Sequence, residues 1–212
     1  MKRIAIILVV LLSISNNAQN TFSVQPGVKD NQIVLQLSNI SPSENVNNLE
    51  VKLIKNSQNL IFNQKEKIIE NIAQGSGTEA TFTFDVKYNI GNVEADTIEF
   101  MITDNKSVYL TKQFILQYSL PTEYKLEQNY PNPFNPSTRI RYQVSSISQV
   151  SLKVYDILGN EVTTLVNEQK EPGYYEIDFS ATGGASSLAS GVYIYRLQAN
   201  NYISTKKMMV LK

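Results

Sequence analysis

The chain has 212 residues, with 19 Lys and Arg against 19 Asp and Glu, and it contains no histidine, cysteine or tryptophan. The missing types exclude Ser–His and Cys–His catalytic pairs, imidazole and thiolate metal sites, and disulfide staples. Balanced charge without a basic cluster excludes phosphate neutralisation on a nucleic acid, and neither a cofactor nor a metal is expected.

Lys2 and Arg3 precede an unbroken apolar run, residues 4–12, and a polar stretch, residues 13–20. As helix the run spans about 14 Å at ~1.5 Å per residue, half of what a bilayer core of about 30 Å requires. This is the pattern of a secretory signal peptide over residues 1–18, with cleavage after Ala18; a buried N-terminal strand is the structural alternative. Without cysteine the processed chain gains no lipid-modified N-terminus. Loss of Lys2 and Arg3 leaves 17 basic residues against 19 acidic, a net charge of −2.

Residues 20–118 alternate as strands do. Ile33, Leu35 and Leu37 share one face; so do Ala80, Phe82, Phe84 and Val86, then Ile98, Phe100 and Ile102, then Phe114, Leu116 and Tyr118. Val51 and Leu53 suggest a further strand. Pro42, Asn47-Asn48, Gly75-Ser76-Gly77, Gly91-Asn92 and Asp104-Asn105 supply reversals. Residues 64–72 are open to a short helix. About seven short strands suggest an immunoglobulin-like β-sandwich. The pattern over residues 71–86 resembles the CARDB and NEW3 families of bacterial immunoglobulin-like modules, which are mostly accessory domains.

A linker, residues 119–126, contains Leu120-Pro121 and leads to a second segment, residues 127–212. Its strands are expected over 138–144, 149–155, 161–166, 174–179, 192–198 and 202–211, turned by Gly159-Asn160 and Pro172-Gly173, with a looser connection at Gly183-Gly184. The fold class is all-β: two consecutive immunoglobulin-like antiparallel β-sandwiches.

The second segment carries four motifs. In YPNPFNPST (residues 130–138), Pro131, Pro133 and Pro136 fix their own φ and hold their predecessors out of helix. Asn132 and Asn135 can close Asx-type turns, and Phe134 is expected to plug the end of the sandwich. In YDILGNEV (residues 155–162), Gly159 supplies a positive φ and Asp156 forms the turn; no second carboxylate stands at calcium-ligand spacing. Val150, Leu152 and Val154 should face the core, with Ile157 and Leu158 capping its end. In GVYIYRL (residues 191–197), Val192 and Ile194 are expected inside. Tyr193 and Tyr195 would form a stripe outside, for packing or docking, and a positive φ at Gly191 would make Gly191→Val unfold the tail. The last strand places Lys206 and Lys207 ahead of Met208 and Met209. Lysines protect an edge strand from pairing, and such an edge can accept a strand from another protein.

In this order the four motifs resemble the type A C-terminal sorting domain of the type IX (Por) secretion system, from about Tyr124 to Lys212. The resemblance rests on Pro131, Pro133, Phe134, Tyr155, Asp156, Gly159, Gly191, Val192, Tyr193 and Lys207, with Lys206 beside it. The tail also resembles the immunoglobulin-like part of flagellar hook-capping proteins, a location against which the leader argues. The sorting-domain resemblance implies passage through the periplasm, recognition by an outer-membrane translocon, and cleavage by a sortase-like peptidase between about Tyr118 and Leu126. Attachment to lipopolysaccharide or release would follow, giving a secreted or cell-surface protein.

For residues 20–118 the expectation is a non-enzymatic binding or spacer domain for a protein or glycan. Two alternatives stand beside it. A hydrolase would need paired carboxylates from Asp85, Glu94, Asp96, Glu99 and Asp104, which are expected to be solvated on outer faces. A carbohydrate-binding module would use Tyr88, Tyr109 or Tyr118.

Overall fold

The computed structural model describes residues 4–8, 20–182 and 188–212. Lys2, Arg3, the cleavage point after Ala18 and the Gly183-Gly184 connection lie outside them. The described residues are all-β and divide into two compact units, Met1–Ser119 and Leu120–Lys212.

The first unit contains β1 (Ile4–Leu8), β2 (Thr21–Val24), β3 (Asn31–Asn39), β4 (Val46–Lys55), β5 (Leu60–Phe62), β6 (Glu66–Ile72), β7 (Gly77–Val86), β8 (Ala95–Thr103) and β9 (Tyr109–Tyr118). They form one sheet of order β1-β3-β7-β5 and one of order β2-β9-β8-β4-β6. The expected inward residues of β3, β7, β8 and β9 all lie in the core between them. Phe82 and Phe100 meet with ring centroids 4.7 Å apart, and Phe62 stacks on Phe84 at 5.0 Å.

Three features differ from expectation. Residues 66–72 are strand rather than helix, because their β-branched isoleucines fit a pleated surface and the backbone pairs antiparallel with the edge of β4. Asn47-Asn48 does not reverse the chain: Asn48 takes a left-handed φ of 52° inside β4 while pairing with β6 continues on either side. Lastly, β2, which was not anticipated, runs parallel to β9. The backbone of Ile4–Leu8, inside the leader-like run, lies antiparallel to Leu35–Asn39 as β1.

The second unit contains β10 (Lys125–Leu126), β11 (Ser137–Val144), β12 (Ser148–Tyr155), β13 (Glu161–Lys170), β14 (Gly173–Ser180), β15 (Gly191–Ala199) and β16 (Tyr202–Val210). A three-stranded sheet of order β10-β11-β14 faces a four-stranded sheet of order β13-β12-β15-β16. Val150, Leu152 and Val154 are fully buried as expected.

β15 presents the opposite face from the one expected. Tyr195, Leu197 and Ala199 are fully buried and Tyr193 packs against the core, while Val192, Ile194, Arg196 and Gln198 face outward. Burying a tyrosine requires a partner for its hydroxyl. Here the Tyr195 hydroxyl donates to the Glu127 carbonyl at 2.8 Å and accepts the Asn129 amide at 2.8 Å.

Candidate functional site

The four motifs of the second unit converge on one end of its sandwich. Val210 lies opposite Gly191, Met209 opposite Val192 and Lys207 opposite Ile194, and Ile194 in turn pairs with Tyr155. The ends of β12 and β16 and the start of β15 therefore share one end of the larger sheet.

The proline-rich segment closes that end. Phe134 is 2% exposed and meets Phe179 edge-on, with ring centroids 6.0 Å apart. Its amide donates to the Met209 carbonyl at 3.0 Å, and its carbonyl accepts the Leu211 amide at 2.9 Å. Pro131 and Pro133 are exposed and bracket Asn132. Asn132 does not close a local turn; its Oδ1 accepts the Met209 amide at 2.9 Å. Gln128 Nε2 donates to the Lys207 carbonyl at 2.7 Å. β16 is thus an outer strand, as expected, but between Lys207 and Leu211 its outward backbone groups are taken, and this stretch is not free to accept a strand.

Behind the clamp lies a buried polar knot. Asn129 Nδ2 donates to Thr138 Oγ1 at 2.9 Å and to the Pro131 carbonyl at 3.1 Å, and Thr138 Oγ1 donates to that same carbonyl at 2.7 Å. Burial pushes the Tyr195 phenol up to about 12. Gln128, Asn129, Asn132, Thr138 and Met209 were not among the anticipated site residues. The cue for some of them is the run of amides before and between the prolines.

Asp156 forms the β12–β13 turn as anticipated. Its Oδ1 accepts the amides of Leu158 and Asn160, both at 2.9 Å, and its Oδ2 accepts Asn160 Nδ2 at 2.8 Å. These bonds, foremost that from the Asn160 side chain, hold the carboxyl below its ordinary range. Gly159 holds a φ of 88°. Ile157 and Leu158, expected to cap the core, instead stand in solvent, 71% and 82% exposed. The compact turn points them away from the sheet.

Gly191 holds the expected positive φ, 159°, a backbone conformation that L side chains rarely adopt, and a Cβ there would meet nothing within 4 Å. The backbone conformation, not close packing, accounts for this glycine. The Tyr193 hydroxyl donates to the Ala189 carbonyl at 3.1 Å. Lys206 is half-buried opposite Tyr195, whereas Lys207 is exposed. On the smaller sheet, Tyr130, Pro131, Arg139, Arg141 and Asp178 line a groove of about 440 Å³. Arg139 and Arg141 bridge there to Asp178 and Glu176 at 2.9 and 2.6 Å.

In the first unit, the candidate carboxylates are not all on outer faces. Asp96 points inward at the start of β8, accepting the Tyr118 hydroxyl at 2.5 Å and Asn59 Nδ2 at 3.1 Å. Burial, reinforced by Asp96, pushes the Tyr118 phenol up. Asp104 is buried beyond the other end of β8, with Oδ1 accepting the amides of Lys106, Ser107 and Val108. Along a strand rising ~3.3 Å per residue, Asp96 and Asp104 lie about 26 Å apart, well beyond the separation of a glycosidase pair. Asp85 accepts the Asp30 amide at 2.9 Å. Glu94 is exposed in the turn before β8, and Glu99 faces outward. Among the candidate tyrosines, Tyr88 and Tyr118 are buried and Tyr109 is 69% exposed.

Residues 128–211 match the family model described as "Secretion system C-terminal sorting domain". Comparison with curated proteins gives no match. Among solved structures, dimeric latent PorU from Porphyromonas gingivalis is 16% identical at a TM-score of 0.35, covering 99% of this chain and 20% of its own; the chain therefore spans about a fifth of its length. A protein of unknown function from Porphyromonas gingivalis W83 is 10% identical at 0.33, covering 99% of each chain. The D0-D1 domain of intimin is 9% identical at 0.30, covering 92% of this chain and 96% of its own. With its family match and its four motifs folded into one sandwich end, the C-terminal unit is a type IX secretion C-terminal sorting domain, the tail of a chain exported through the periplasm to the cell surface or the medium.

Proposed function

We propose that this chain is a non-enzymatic cargo protein exported in two steps. A leader over residues 1–18 takes it across the inner membrane. The C-terminal unit then engages the outer-membrane translocon of the type IX system, and a sortase-like peptidase cuts between about Tyr118 and Leu126. The first unit is delivered, attached to lipopolysaccharide or released, as an immunoglobulin-like binding or spacer domain.

The observation that carries this reading is the convergence of the tail motifs on one end of the sandwich matched by the sorting-domain family. Leu120, inside the proposed cleavage segment, is 64% exposed, which suits access by a peptidase. A second reading of the first unit, glycan binding, is favoured by the exposed ring of Tyr109; glycan-array binding that persists in Tyr109→Ala would count against it.

Culture fractionation tests the export route. A chain lacking residues 205–212 is expected to stay in the periplasm. Its normal appearance on the cell surface or in the medium would overturn the proposal.

A further inference from the structure

We infer that the type IX machinery grips this tail through the apolar tip of the β12–β13 turn and the adjoining outward face of β15 and β16, rather than along the edge of β16. The inference rests on the sorting reading above and names the surface that does the sorting.

The edge is already occupied where the tail motifs lie. Gln128, Asn132 and Phe134 bond to Lys207, Met209 and Leu211, so a partner strand could add there only by displacing them. The outward face is open. Ile157 and Leu158 project from a turn held by three hydrogen bonds to the Asp156 carboxylate, so they cannot fold back onto the sheet. Pairing of Tyr155 with Ile194 brings the turn that follows Tyr155 alongside the residues that precede Ile194. Val192 points outward there, beside Met209, which is 38% exposed. Two strongly exposed aliphatic side chains thus continue into an apolar strip, a combination that marks interaction sites.

Lys207 lies opposite Ile194 on this face, exposed and without an ion pair among the described residues. Arg196 follows along β15 on the same side. The matching partner surface is an apolar concavity on an outer-membrane component, flanked by carboxylates that meet Lys207. A charge at the rim favours correct encounter, while the apolar centre holds the complex.

The test follows export of the full chain in a bacterium with an active type IX system, alongside the melting temperature of each purified variant. The double substitution Ile157→Ser, Leu158→Ser removes only exposed groups, so its melting temperature should stay within about 4 °C of the parent. Its exported fraction should fall by about tenfold or more, with matching accumulation in the periplasm. The pair Ile157→Val, Leu158→Met keeps the apolar character and should be exported normally, while Lys207→Glu should slow export. Parental export of the serine variant, with a chain lacking residues 120–212 retained in the periplasm, would overturn the surface assignment alone. Loss of export in the Val/Met pair would overturn it as well. Export of the chain lacking residues 120–212 would overturn the sorting reading itself.

Discussion

Phe134 runs parallel to Val210 and is bonded on both sides of it, its amide to the carbonyl of Met209 and its carbonyl to the amide of Leu211. A residue from the start of the unit thereby locks the strand at its end. The ring fills the sandwich end while the backbone closes the sheet edge. Phe134→Ala removes both the buried ring and its contact with Phe179, and buried Phe→Ala changes cost about 3–5 kcal/mol. The expected outcome is loss of the second unit's cooperative unfolding transition near ambient temperature, with the transition of the first unit retained. Calorimetry of the full chain reads both. Asn132→Ala removes the bond to the Met209 amide and should cost about 0.5–1.5 kcal/mol in the same measurement.

Tyr195 joins the core to the segment ahead of the clamp. Its hydroxyl serves both the Glu127 carbonyl and the Asn129 amide. Tyr195→Phe keeps the ring but leaves those two buried groups without this partner, a loss of about 1–3 kcal/mol. Urea unfolding should show a lower midpoint with an unchanged slope. A midpoint equal to the parent's would mean that water or a shifted backbone replaces the hydroxyl.

The limits of the sequence are visible at that same tyrosine. In β12 an apolar residue alternates with a polar one, and the expected face of Val150, Leu152 and Val154 matches the buried residues. In VYIYRL both faces are large and partly apolar, so a period of two locates the strand without choosing its inner side. The choice is made by the backbone of Glu127 and Asn129, 68 and 66 residues away. The roles of Asn132 and Gln128 were hidden for the same reason, since their acceptors and donors lie on β16. Asp156 was legible because its partners are two to four residues along the chain. The exposed Ile157 and Leu158 show the converse error: apolar residues beside a strand are drawn to the core only if the turn aims them there.

Alkaline titration should expose the buried phenol. The Tyr195 pKa is raised to about 12 from its ordinary 10.0, chiefly by burial. A group with a raised folded-state pKa gives stability that is fully present below the unfolded value and lost as pH climbs toward the folded one. The second unit should therefore lose stability between about pH 10 and 12, and Tyr195→Phe should flatten that decline. Tyr142 and Tyr175, also raised by burial, act in the same direction, so the slope is reduced rather than abolished. Equal alkaline slopes in parent and variant would contradict the assignment.

Asp156 gives the acid counterpart. Its carboxyl lies below its ordinary 3.8 because the ionised form accepts bonds from the side chain and amide of Asn160 and from the amide of Leu158. A depressed folded-state pKa gives stability that is present above the unfolded value and lost as pH falls through the folded one. Parent protein should thus keep the turn ordered at neutral pH and loosen it progressively below about pH 4. Asp156→Ala should show that loosening already at neutral pH. Amide hydrogen exchange of Leu158 and Asn160 reads it directly, because these amides donate to the carboxylate that the substitution removes. Faster exchange confined to the turn is the expected outcome, and because the same bonds hold Ile157 and Leu158 outward, the variant should also be exported less well than the parent.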